Sequence, residues 1–129
     1  MDSTLREALS QNQVVDLTTT GRRTGGPRRI EIVLHHLDGR LFISGMPVPG
    51  RTRAWLHNVE ADPHVVLHLK QTVVADLPAT ARVVTDPAER RELLSAAAAT
   101  WGRDDLDVMM EHSPLIELAV HGYDGPWLG

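Results

Sequence analysis

Apolar and polar positions alternate in several short runs along this chain. From residue 30 to 35, Ile30, Ile32 and Leu34 alternate with Glu31, Val33 and His35, the period of two that puts every second side chain on one face of a strand. Asp38-Gly39 follows, a dipeptide suited to a tight hairpin turn, and LFISG carries the chain back, so a long antiparallel pair is predicted. The runs VVDLTTT, HVVLHLK, TVVADLPATARVVT and LIELAVH are β-branched and bounded by turn residues, and each predicts a further strand. Pro78 lacks an N–H, which predicts an edge, a bulge or a bend in its strand.

Helical spacing is confined to shorter segments. Leu5, Ala8 and Leu9 make an apolar stripe, and Thr4 with Glu7 resembles a capping box, which predicts a helix over 3–12 within an N-terminal segment 1–13. TRAWLHNVEADP allows about two turns before Pro63, because the residue ahead of a proline avoids the helical region. Asp86, Pro87 and Glu89 supply a cap, a first-turn proline and an early carboxylate, and strong helix formers continue through Ala99. Leu106, Met109 and Met110 fit the apolar side of another short helix that packs on the strands. MPVPG suits neither regular state. The count is about six strands and three or four helices joined mainly by hairpins. That predicts a mainly β, α+β fold: one domain over 1–129, a mostly antiparallel sheet curled into a small barrel, short helices outside it, and a tail over 122–129.

Composition narrows the picture. With 129 residues, 42% of them hydrophobic, one core can form without covalent staples. Cysteine is absent, which removes disulfides, thiolate metal sites and cysteine nucleophiles and makes a cytoplasmic location the expectation. The N-terminus lacks the apolar stretch of a signal peptide, and no run approaches the length of a membrane span, so no integral membrane segment is expected. A formal net charge of -4 argues against a nucleic-acid partner, since such domains carry excess basic charge.

The local charge tells a different story. In TTTGRRTGGPRR, from Thr18 to Arg29, four arginines surround three glycines and a proline, and Arg51 and Arg53 form a second basic pair. Guanidinium forks match phosphate and carboxylate oxygens in pairs, and glycine lets a backbone turn sharply close to a ligand. A strand-loop-strand hairpin would bring both arginine pairs to one barrel mouth, as an acidic ligand requires; an isolated basic hairpin would equally serve as a solvated turn.

The order of TTTGRRTGGPR, the DG hairpin, the proline- and glycine-containing loop and AWLHNVEADPHVVLHLK resembles the deazaflavin-dependent nitroreductase family, within the flavin and deazaflavin oxidoreductases of split β-barrel fold. The likeness covers roughly residues 14–120. Its most specific pieces are TTGRRTGGPR and the W-x-x-N-x-x-A-x-P pattern of Trp55, Asn58, Ala61 and Pro63. The resemblance implies a monomeric or homodimeric barrel holding the reduced 8-hydroxy-5-deazaflavin coenzyme F-420 and passing hydride to a small conjugated acceptor such as a quinone, enone or nitro compound. It implies that Arg23 and Arg28 meet the coenzyme's phosphate and polyglutamyl tail, that Thr24, Gly25 and Gly26 shape the loop between them, that Ser44, Gly45, Met46 and Trp55 line the ring side, and that Arg22 and Arg51 are further cofactor-binding residues. No catalytic residue is assigned. The chain also departs from the family: tyrosines of the reductases are replaced by Val33 and by the tyrosine-free WGRDDLDVMM, Tyr123 alone remaining, and a lysine-bearing loop is replaced by SGMPVPGR, leaving Arg51 or Arg53 to supply the basic contact. Glu31 stands where proline is common.

These departures keep other readings open. One is the same barrel with FMN; another is a non-catalytic module holding haem, lipid or another planar ligand. Seven histidines raise the metal question, but His64 and His68 would stand roughly 13 Å apart at strand rise, too far for one ion, so no metal site is expected. His35 and His36 face opposite sides of their strand. His57 could face a cofactor pocket. Trp55 and Trp101 are core residues or pocket walls, Trp127 in the tail could cover the pocket or meet a second subunit, and Ser44 has no readable nucleophile's partners.

Overall fold

In the computed structural model, residues 1–51 and 53–123 are described. The tail expectations, Trp127 included, lie largely outside these residues. Ten elements follow in order: α1 (Ser3–Leu9), β1 (Gln13–Thr20), β2 (Pro27–Leu37), β3 (Arg40–Ser44), α2 (Ala54–Ala61), β4 (His64–Lys70), β5 (Val74–Val83), α3 (Pro87–Trp101), α4 (Leu106–His112) and β6 (Leu115–Val120). The strands close into a barrel in the order β1-β2-β3-β6-β5-β4, every pairing antiparallel. Closure leaves no open sheet edge to recruit another chain.

The alternating pattern becomes an inside and an outside. Val15, Leu17, Leu34, Ile43, Leu67 and Leu118 fill the barrel. Leu9 of α1 packs on this core at the end where β1 begins, and Trp55 and Val59 of α2 pack on it where β1 ends. A second core lies outside the barrel wall, where Phe42 of β3 and Leu115 of β6 meet Leu93, Leu94 and Ala97 of α3 and Met109 of α4. Covered on both faces, β6 is buried throughout. Its one charged residue, Glu117, is fully buried and held by Arg40 (Nε 2.9 Å, Nη2 2.8 Å) and by Arg82 Nη2 at 2.5 Å. Glu89 accepts from both arginines as well.

Local signals read correctly from sequence include the Asp38-Gly39 turn, where both residues have positive φ (48° and 82°), and the α3 cap, where Asp86 accepts from the Glu89 N–H. The first helix differs from expectation. Asp2, whose side chain accepts from the Leu5 N–H, caps it in place of Thr4, and it ends at Leu9 because Gln13 already pairs with Leu34 in the sheet. Pro78 is paired with Val66 of β4, and its carbonyl accepts from the His121 N–H at 3.0 Å, one residue beyond the Ala79–Val120 pair, so its missing N–H falls at the end of the β5–β6 ladder. Among the described residues no helix is long and apolar enough to cross a membrane.

Candidate functional site

Thr20 and Pro27 are paired across β1 and β2, so the six residues between them must reverse the chain at the barrel mouth. Glycine makes this possible. The Gly21 N–H donates to the Gly26 carbonyl at 2.7 Å, and the Gly25 N–H to the Gly21 carbonyl at 2.8 Å, with Gly25 at φ +73°. Thr24 Oγ1 accepts from the Gly26 N–H and from Arg28 Nη2, both at 3.3 Å, which steers that guanidinium along the loop. From below, buried Asn58 of α2 accepts the Arg22 N–H at 3.1 Å and donates to Thr19 Oγ1 at 3.0 Å. The asparagine of the W-x-x-N pattern thus clamps the arginine loop to α2, a role that the sequence left unassigned.

Arg22, Arg23 and Arg28 are exposed and make no ion pair among the described residues, whereas Arg29, which lines the same pocket, is paired with Asp16 at 2.9 Å. The three unpaired arginines and Thr24 line a pocket of about 280 Å³ walled by Trp55. Ile30, Ala54 and Trp55 are shared with a second pocket of about 440 Å³, bounded by Val33, Ser44, Gly45, Met46, Arg51, Arg53 and Trp101. The two adjoin as one groove, with the loop arginines at one end and, at the other, Val33, Met46, Trp55 and Trp101 together with the charged Glu31, Arg51 and Arg53.

The ring-side wall is fixed by close packing. Gly45 donates its N–H to the Pro114 carbonyl at 3.0 Å, and a Cβ there would lie 2.6 Å from Pro114 Cγ, so only glycine lets the turn sit this near. Ser44 Oγ donates to the Gly45 carbonyl at 3.2 Å and is committed to the turn. Arg53 Nη2 donates to the Met46 carbonyl at 2.7 Å, while its Nη1 is buried with no partner. Burial, and then the neighbouring Arg51 charge, lower the Arg53 pKa.

Trp101 is backed by His35, whose ring meets it edge-on at 4.8 Å and stacks on Phe42 at 5.1 Å. Both His35 nitrogens lack partners, and burial pushes its pKa down to about 4, so the ring is neutral near pH 7.

The structure brings Arg22, Arg23, Thr24, Arg28 and Trp55 together at one end of the groove and Ser44, Gly45, Met46 and Arg51 at the other. Gly25 and Gly26 shape the loop without lining the groove. His57 faces elsewhere: it lines a separate cavity beyond Arg53, its Nδ1 3.2 Å from Glu60. His64 contacts Asp62, and His68 lies between Thr18 and Asp76. Trp55 proves to be core and wall at once, 8% exposed, and Trp101 is a half-buried wall. Among wall residues, Val33 had been noted only as a departure, and no signal short of the packing marks it.

A closed antiparallel barrel carrying a groove with a guanidinium end and a flat aromatic end defines a coenzyme-holding split barrel. Residues 1–115 match the family described as "F420H(2)-dependent quinone reductase", and the chain belongs to that family: it is a deazaflavin-dependent oxidoreductase, with F-420 as its coenzyme and a small molecule as its substrate. No curated protein gives a significant match. Solved structures share the fold at low identity. The conserved hypothetical protein Rv2991 from Mycobacterium tuberculosis has a TM-score of 0.71 at 17% identity, covering 100% of this chain and 88% of that one. An F420-H2 dependent reductase has 0.59 at 21%, covering 82% and 93%. HutZ, a haem storage protein from Vibrio cholerae, has 0.64 at 14%, covering 93% and 89%. The barrel alone therefore does not choose between haem and F-420, and the family match does.

Proposed function

We propose that the groove binds F-420 with its acidic tail on Arg22, Arg23 and Arg28 and its ring between the Ser44–Met46 turn, Trp55 and Trp101, and that the acceptor is a quinone or a similarly conjugated small molecule. The donor chemistry fits the coenzyme. Three guanidiniums without carboxylate partners suit a polyanion, and the Trp55, Val33, Met46 and Trp101 surfaces suit a flat conjugated ring. The reduced coenzyme supplies two electrons as hydride, so the protein need contribute no redox group of its own. The chain's residues bind and orient. Asn58 sets the height of the arginine loop, Gly45 and Arg53 set the turn under the ring, and neutral His35 keeps a charge from behind Trp101. Where tyrosines line family reductases, the wall here carries Val33 and Trp101, which favours an acceptor held by packing rather than by phenolic hydrogen bonds. A homodimer is part of this proposal.

The observation that carries it is the continuity of the unpaired arginines with the aromatic groove. Titrating the purified protein with oxidised F-420 and following coenzyme fluorescence tests it, alongside oxidation of the reduced coenzyme with a simple naphthoquinone as acceptor. Saturable binding weakened by Arg23→Ala and Arg28→Ala is expected; binding untouched by both variants would put the tail elsewhere.

A further inference from the structure

A second cavity of about 460 Å³ lies beyond Arg53, between α2, the end of β5 and the turn from α4 into β6. Its walls carry three arginines, Arg51, Arg53 and Arg90, with His57 and His112 beside them. Glu111 is the one carboxylate on those walls, and its Oε2 lies 3.7 Å from His112 Nε2. None of the three guanidiniums makes an ion pair among the described residues. Arg90 donates to carbonyls, those of Val84, Met109, Met110 and Ser113 at 3.2, 3.4, 2.8 and 2.9 Å. Arg53 leaves Nη1 buried without a partner, and Ser113 Oγ, on the same walls, is likewise buried and unpartnered.

This differs from how the fold treats its other internal arginines. Arg40 and Arg82 are neutralised by Glu117 and Glu89. Around the second cavity, burial disfavours the charge on both Arg53 and Arg90, and Arg51 adds repulsion at Arg53, while Glu111 pairs with none of the three guanidiniums. A concave, partly desolvated cluster of one sign is stabilised by an anion that enters it.

We infer that this cavity is a second anion site, taking the carboxylate or phosphate group of a small molecule other than the coenzyme's tail. The inference rests on the proposed function in one respect: the 22–28 loop takes the tail, which leaves these arginines for a different anion. Arg51 and Arg53 also wall the coenzyme groove, so an anion here acts on the turn that Arg53 holds through the Met46 carbonyl, and occupancy of the two sites is coupled. The anion has two sources, a carboxylate on the acceptor itself or a free ion such as phosphate.

The test uses the full chain without coenzyme, with ¹⁵N-labelled histidine, titrated with inorganic phosphate at constant ionic strength while the His57 and His112 ring signals are followed. Saturable shifts in the millimolar range are expected. Thr85→Glu, which places a carboxylate on a wall of this cavity alone, is expected to weaken them at least tenfold, and Thr85→Gln to leave them unchanged. The Arg23→Ala/Arg28→Ala variant is expected to retain them while weakening coenzyme binding. Non-saturating shifts, or shifts equal in Thr85→Glu and Thr85→Gln, overturn the second site. Loss of the shifts in the Arg23→Ala/Arg28→Ala variant also overturns it, since phosphate would then be acting from the other loop. Failure of the coenzyme to titrate, with the shifts intact, instead overturns the tail assignment. In turnover, phosphate that raises the KM of a carboxylated naphthoquinone but not of the parent quinone supports the site with the acceptor as source; an equal effect on both supports it with a free anion as source.

Discussion

Arginine is used in opposite ways at two places in this barrel. On the outer wall, Arg40 and Arg82 converge on the fully buried Glu117, with Glu89 completing the network, and the Arg40 pKa is driven further up, first by its hydrogen bonds to Glu117. At the barrel mouth, Arg22, Arg23 and Arg28 stand exposed with no carboxylate partner among the described residues. The first cluster carries its counter-charge within the chain and belongs to the fold. The second lacks one, and the coenzyme's acidic tail meets that lack. Residue type alone does not separate structure from function; the source of the counter-charge does.

The largest effect is expected at the paired cluster. Glu117→Ala leaves two guanidiniums facing an emptied buried position and should cost about 3–5 kcal/mol of stability, read by urea denaturation; a loss under 1 kcal/mol would make the network incidental. Next comes His35, a buried polar group given no partner. Its folded pKa of about 4 lies below the ordinary 6.5, so the unfolded chain takes up its proton first, and stability falls as pH drops from 6.5, this group's effect being complete below about 4. The swing is on the order of 3 kcal/mol, and His35→Phe should flatten the denaturation midpoint between pH 6.5 and 4.5.

At the unpaired cluster the prediction changes kind. Arg23→Ala with Arg28→Ala should leave the denaturation midpoint within error yet weaken F-420 binding roughly ten- to thirtyfold in fluorescence titration, less at high salt because these charges are screened. A large loss of stability would show that the mouth arginines are structural after all. Asn58→Ala joins the two behaviours: losing its bonds to Thr19 and the Arg22 N–H should cost about 1–2 kcal/mol and also loosen coenzyme binding severalfold, detectable by comparing both assays on one preparation.

Much of this was legible beforehand because the signals are local. Alternation in Ile30, Ile32 and Leu34, the Asp38-Gly39 turn and the Asp86-Pro87 start depend on neighbours a few residues away, and each appears as read. The arginine loop was legible as a cluster because its members are adjacent in sequence. Where a nearby donor competed, the local reading slipped, as when Asp2 took the cap assigned to Thr4.

The rest required distant segments to meet. Trp101 is a groove wall because α3 ends beside β2 and the 44–46 turn, and His57 leaves the groove because α2 presents it to the cavity beyond Arg53. Composition, spacing and family motifs determined a deazaflavin-type barrel with a basic loop, since those properties are written in short stretches of chain. Which arginines keep a counter-ion and which await one was decided only by the closed sheet, because a charge's partner is set by distance in space, and closure is what brings Glu117 to Arg40 and Arg82 and leaves Arg22, Arg23 and Arg28 at the rim with no ion pair among the described residues.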